Sequence, residues 1–172
     1  AFLNPTGNLN EVVQISDVGL DDFGEILITV SAGPNHSSAN RIVYLGALRI
    51  DSSAGWSAMV DLGGSDATTS IVSSAPSFAW NNVTGGVANT DDGVLEDIIS
   101  VQGNASDLVL RMNSRFNGVN QSGTESSSLF PGTATGDSYF ANTEEFGVGS
   151  DVTPVFTIGG LVPAKPYRFT FF

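Results

Sequence analysis

The chain is predicted to be all-β, an antiparallel β-sandwich of jelly-roll type. Three observations carry that prediction. Apolar and polar residues alternate at period two along most of the sequence, turn-forming Gly, Pro, Asn and Asp separate these runs, and only one segment has helical spacing. The composition agrees. Hydrophobic residues make up 41% of the 172, enough for a core, whereas charged residues reach only 14%. The usual charged share is about 25%, so Ser, Thr, Asn and Gly must supply the surface polarity.

In chain order, strands are expected at Glu11–Val18, Glu25–Gly33 and Arg41–Ile50, each rich in β-branched or aromatic residues. Further strands are expected at Ser57–Gly63, Ser77–Thr84, Asp107–Phe116, Pro154–Leu161 and Tyr167–Phe172. The helical exception is Asp92–Ser100, where Val94, Leu95, Ile98 and Ile99 fit one or two turns. The Gly/Ser/Asn-rich stretch Asn117–Asp137 reads as a loop anchored by Phe130, Tyr139 and Phe140. In "GLVPAKPY", Pro163 and Pro166 fix φ and Tyr167 opens the next strand. Its hydroxyl has two readings, a bond back to upstream backbone in the manner of a tyrosine corner, or plain burial beside a turn.

Charge narrows the partners. With 18 Asp+Glu against 6 Lys+Arg the net charge is −12. A phosphate backbone or an anionic membrane surface would be repelled, which leaves cations, glycans and other protein surfaces. There is no cysteine, which removes disulfides and thiolate chemistry. That absence, with a polar uncharged surface, points to an exported bacterial or archaeal protein at the cell surface or beyond it. No apolar run reaches the roughly 18 residues needed to span a bilayer, so membrane insertion is not expected.

Little in the sequence points to catalysis. His36 is the single histidine and sits in a turn-like "GPNHSSAN", and no G-x-S-x-G elbow occurs. A carboxylate pair of the glycosidase kind could be drawn from Glu11, Glu25, Glu96, Glu125, Glu144 and Glu145, most of them beside polar turn residues. The chain is expected not to be an enzyme. Calcium suits oxygen-rich acidic loops, so a structural Ca²⁺ is expected at Asp91, Asp92 and Glu96 in preference to Asp21–Asp22. Acids ahead of a short helix would equally serve as caps. For a glycan, the candidate platforms are Trp80, flanked by Asn81 and Asn82, and Trp56; for Trp80, core packing beside Phe78 competes with that role. Four N-x-S/T sequons begin at Asn35, Asn82, Asn104 and Asn120, about as many as such a composition gives by chance.

Five stretches in order, "MVDLGG", "WNNVT", "FNGVN", "PGTATGDSYF" and "GGLVPAKPYRFTFF", resemble secreted modules of bacterial cell-surface proteins with a galactose-binding-like jelly-roll fold. The resemblance covers roughly residues 57–172. The closing pattern of such modules is matched by Phe23–Ile50, at the wrong end of the chain. Residues 1–52 therefore read as closing strands, 53–57 as a linker and 58–172 as the opening portion of a module. A strand-like end at Phe172 with no turn after it fits this swapped order. Four arrangements are open: one period of a tandem array, a subunit completed by a neighbouring copy, an excerpt of a longer chain, and a self-contained permuted sandwich. The leading expectation is a structural subunit assembled head-to-tail with copies of itself by strand complementation. The alternative is a carbohydrate-binding module.

Overall fold

The computed structural model describes residues 9–36, 39–65, 68–69, 78–87, 92–123, 127–144 and 151–172. Twelve strands and one helical turn account for the regular structure of these residues. They are β1 (Val13–Ser16), β2 (Ile26–Thr29), β3 (Ile42–Leu45), β4 (Ala47–Ser52), β5 (Ser57–Leu62), β6 (Asn81–Val83) and β7 (Val94–Leu95). Then come β8 (Val109–Ser114), β9 (Gly118–Asn120), α1 (Gly132–Thr135), β10 (Ser138–Asn142), β11 (Val155–Gly159) and β12 (Tyr167–Phe171).

Three sheets result. One has five strands in the order β1-β12-β4-β5-β6, one has four in the order β2-β11-β8-β7, and one has three in the order β3-β10-β9. All neighbours run antiparallel except the parallel pair β5–β6. Period-two alternation puts one face of each sheet into a common core: Leu48, Ile50, Val60 and Phe169 from the first, Leu110, Phe156 and Ile158 from the second, Val43, Leu45 and Tyr139 from the third. Burying a side chain of the Leu or Phe kind stabilises the fold by about 1.5–3 kcal/mol. The all-β sandwich predicted from the sequence is thus the architecture found.

The opposite face of the five-stranded sheet carries a second, smaller cluster of Ala47, Met59, Trp80, Phe130 and Ala134, with α1 laid over it. Phe130 meets Trp80 edge-on with ring centroids 6.1 Å apart, and meets Phe172 at 5.7 Å.

β12 has a neighbour on each side, β1 from Val13↔Phe171 to Ser16↔Arg168 and β4 from Tyr167↔Ser52 to Phe171↔Leu48. Each of β1 to β4 pairs with a strand of the later portion: β1 and β4 with β12, β2 with β11, β3 with β10. The early strands therefore complete a sandwich with the rest of their own chain. Residues 53–56 turn the β4–β5 hairpin, where the Ser52 N–H donates to the Trp56 carbonyl at 2.8 Å.

Several expected elements differ. The expected strand Arg41–Ile50 is two strands in different sheets, broken at Gly46. The helical segment Asp92–Ser100 is extended, with Val94 and Leu95 paired to β8. Gly93 and Asp97 have φ of +64° and +54°, which no right-handed helix accommodates. The stretch read as a loop, Asn117–Asp137, contains β9 and α1, and β10 follows it. The Tyr167 hydroxyl accepts the Val162 N–H at 3.0 Å, the backward bond of a tyrosine corner.

Candidate functional site

The Trp-Asn-Asn segment is occupied by internal work. Trp80 lies in the second cluster at 6% exposure. The Asn81 amide donates to the carbonyls of Met59 and Ile99, both at 2.9 Å, and its oxygen accepts the Ile99 N–H at 2.8 Å. Asn82 grips one residue from both sides, accepting the Thr69 N–H at 2.7 Å and donating to the Thr69 carbonyl at 3.0 Å. Both amides hold loops against β6 where backbone groups would otherwise be orphaned. Trp56, at the hairpin tip, is half-buried against the main core. The structure does not bring Trp56 together with the Trp80 group as one platform, since the two tryptophans belong to different clusters.

Of the residues expected to hold calcium, Asp91 lies outside the described residues. Asp92 pairs with Arg115, and Glu96 approaches Arg111 at 3.8 Å, all four side chains being exposed. Among the described residues no group of three or more His, Cys, Asp or Glu is placed to share a metal ion.

A groove of about 360 Å³ opens on the outer face of the four-stranded sheet, lined by Glu25, Val109, Arg111, Asn113, Thr157 and the Gly159–Gly160 pair. It follows from strand register. Leu27, Thr157, Arg111 and Val94 are successive cross-strand partners on β2, β11, β8 and β7, and Val109 stands opposite Gly159. Gly159 keeps this floor low, because a Cβ there would sit 3.3 Å from Glu25 Oε1. The Thr157 hydroxyl donates to Asn113 Oδ1 at 2.8 Å, which links two of the groove's lining side chains. Exposed Leu27 and Val94 stand in the same cross-strand row, and Phe23, 85% exposed, lies just ahead of Glu25 in the chain.

Two acidic centres sit on the other sheet. Asp51 on β4 receives the Ser57 hydroxyl at 2.7 Å, Arg49 Nε at 2.8 Å and Arg168 Nη2 at 3.1 Å. Burial alone would raise its pKa; the Ser57 bond and the two guanidiniums outweigh burial and hold it below its ordinary value. Asp61 on β5 and Asp137 after α1 have the opposite situation. Both are 2% exposed and both titrate above their ordinary value, Asp61 at about 6, chiefly because burial penalises the charge. The charge of Asp137 raises Asp61 further, against the opposing bonds from Thr69. Asp61 Oδ2 accepts the Thr69 N–H at 2.9 Å and Asp137 Oδ2 accepts the Gly64 N–H at 2.5 Å, while Oδ1 of each has no partner. Close approach requires glycine at position 63, where a Cβ would lie 2.2 Å from Asp137 Oδ2.

Sequence reasoning quoted both segments that carry these two aspartates and assigned neither a role. The groove it missed altogether, since β2, β8 and β11 are separated in the chain and only their register assembles Glu25, Arg111 and Thr157 on one face. No family model, no curated protein and no solved structure matches the chain.

Proposed function

We propose that the chain is a non-catalytic, extracellular binding module that takes a neutral glycan on the outer face of its four-stranded sheet. The observation that carries this reading is the groove, where Glu25, Arg111, Asn113 and Thr157 converge above a glycine floor. Hydroxyl-rich ligands need such fixed donors and acceptors, together with apolar surface for their C–H faces. Leu27, Val94 and Phe23 supply exposed apolar surface beside it. A net charge of −12 favours a neutral ligand over an anionic one.

A glycan array probed with the intact chain and with Arg111→Ala and Asn113→Ala tests this. Both side chains are exposed, so the variants should fold as the parent does. Losing a charged donor costs about 1.5–3 kcal/mol, so Arg111→Ala should weaken binding roughly ten- to hundredfold. An intact chain that retains no glycan, or an R111A variant that binds as well as the parent, overturns the reading.

A second reading, head-to-tail assembly by strand complementation, is favoured by β2. It pairs only with β11 among the described residues, and Leu27 on it is 64% exposed. An open apolar strand edge is a template for another chain. The mass of native material, intact and then denatured, tests it: a large assembly that collapses to 17.9 kDa chains supports polymerisation, and a monomer in both states excludes it.

A further inference from the structure

The carboxylates of Asp61 and Asp137 present a problem that the protein atoms around them do not solve. Each is 98% buried, and neither takes part in a salt bridge among the described residues. Each has its Oδ2 fixed by a main-chain N–H, from Thr69 and from Gly64, and each leaves Oδ1 without a partner. A buried carboxylate oxygen with no partner costs several kcal/mol. Asp137 reaches Gly63 and Gly64, the residues that follow Asp61 and Leu62 at the end of β5, and its charge adds to the cost at Asp61.

We propose that Asp61 Oδ1 and Asp137 Oδ1 are the protein ligands of a structural divalent cation, Ca²⁺, seated between the end of β5 and the end of α1. The donor chemistry selects a hard ion. Both ligands are carboxylate oxygens, the chain has no cysteine, and its one histidine is engaged at Ile42. Held second oxygens are what a ligating carboxylate requires, because they fix the direction of the free one. Gly63 permits the approach, and Asn82 braces the same Thr69 N–H that orients Asp61. Calcium takes about six to eight oxygens, so water and main-chain carbonyls complete a shell of this kind. An ion there would tie the β5 end to the turn that follows α1. That is a stabilising role separate from the groove on the other sheet.

The test uses the intact chain, stripped with chelator and titrated with Ca²⁺ alone up to about 10 mM, above the roughly 10⁻⁴–10⁻³ M range of extracellular modules. Melting temperature and calorimetric heat are read together. Saturable binding of one ion and a rise in Tm are expected. Asp61→Asn and Asp137→Asn should each weaken that binding at least about tenfold, whereas Asp92→Asn and Glu96→Gln should leave it unchanged. Because loss of one buried charge relieves repulsion, the first two variants should stay folded without the ion. Tb³⁺ luminescence sensitised through Tyr139, whose hydroxyl feels both carboxylates, reads occupancy directly and should be quenched by added Ca²⁺. No heat, no Tm shift and no Tb³⁺ signal would mean that the pair is kept by a shared proton, and the proposal fails. Ca²⁺ binding that D61N and D137N leave intact, or that D92N abolishes, overturns it equally.

Discussion

Asn81 and Asn82 are identical neighbours on one strand, and the pleat sends them to different tasks. Asn81 ties the Ile99 backbone to β6, and Asn82 holds Thr69. A sequence shows two amides beside a tryptophan, a pattern compatible with sugar binding; it does not show that both amides already bond to the backbone of other segments. Asp51 was equally silent, because its meaning depends on Arg49 two residues away and Arg168 on a different strand. That cluster makes a pH prediction with a definite sign. The folded pKa of Asp51 lies below its ordinary 3.8, so its contribution is present above about pH 4 and is lost as pH falls through the folded value. Asp51→Asn should destabilise the protein at pH 7 by about 1–2 kcal/mol, a figure kept small because both arginines are partly solvated. It should also make the urea midpoint less sensitive to acid below pH 4. A variant whose midpoint falls with pH as steeply as the parent's would show that other carboxylates govern the acid limb.

At the scale of elements, legibility followed side-chain periodicity. Glu25–Gly33 and Pro154–Leu161 alternate cleanly and became β2 and β11. Asp92–Ser100 has apolar residues at spacings that suit a helix, and left-handed residues at Gly93 and Asp97 keep it extended. β10 was hidden by the polar, glycine-bearing sequence around it, although Tyr139 is wholly buried and its one hydroxyl proton is shared between the Val83 and Gly85 carbonyls. The turn between β11 and β12 could be read further, since its prolines and Tyr167 point to one geometry. Two substitutions there should move stability in opposite directions. Tyr167→Phe removes the acceptor of the Val162 N–H and should cost about 1 kcal/mol. Ala164 has φ +65°, a conformation that costs a non-glycine residue roughly 1–2 kcal/mol. Ala164→Gly should therefore stabilise by up to about 1 kcal/mol, the gain being trimmed by glycine's freedom in the unfolded chain. Thermal melts of the two variants and the parent decide it; equal shifts of the same sign would mean the turn is set elsewhere.

For the whole molecule, the sequence carried the all-β class, and three-dimensional pairing supplied what joins residues 1–52 to the remainder. The early portion provides a strand to each sheet, so its removal strips β12 of both neighbours, β11 of β2 and β10 of β3. It also takes Val43, Leu45, Leu48 and Ile50 from the core. At about 1.5–3 kcal/mol each, these four alone rival the 5–15 kcal/mol that holds a typical domain together. A chain beginning at Ser53 should therefore be recovered only as aggregate, its sheet edges open and its apolar face uncovered. A separate peptide of residues 1–52, added during refolding, should restore a soluble 1:1 complex with the far-ultraviolet spectrum of the parent. Rescue would establish that these strands can be donated between molecules, the physical step that complementation between copies requires. A truncated chain that folds alone as a stable monomer would show that the interlock is dispensable. Strand exchange would then have no energetic basis, because the remaining strands would satisfy their edges without it.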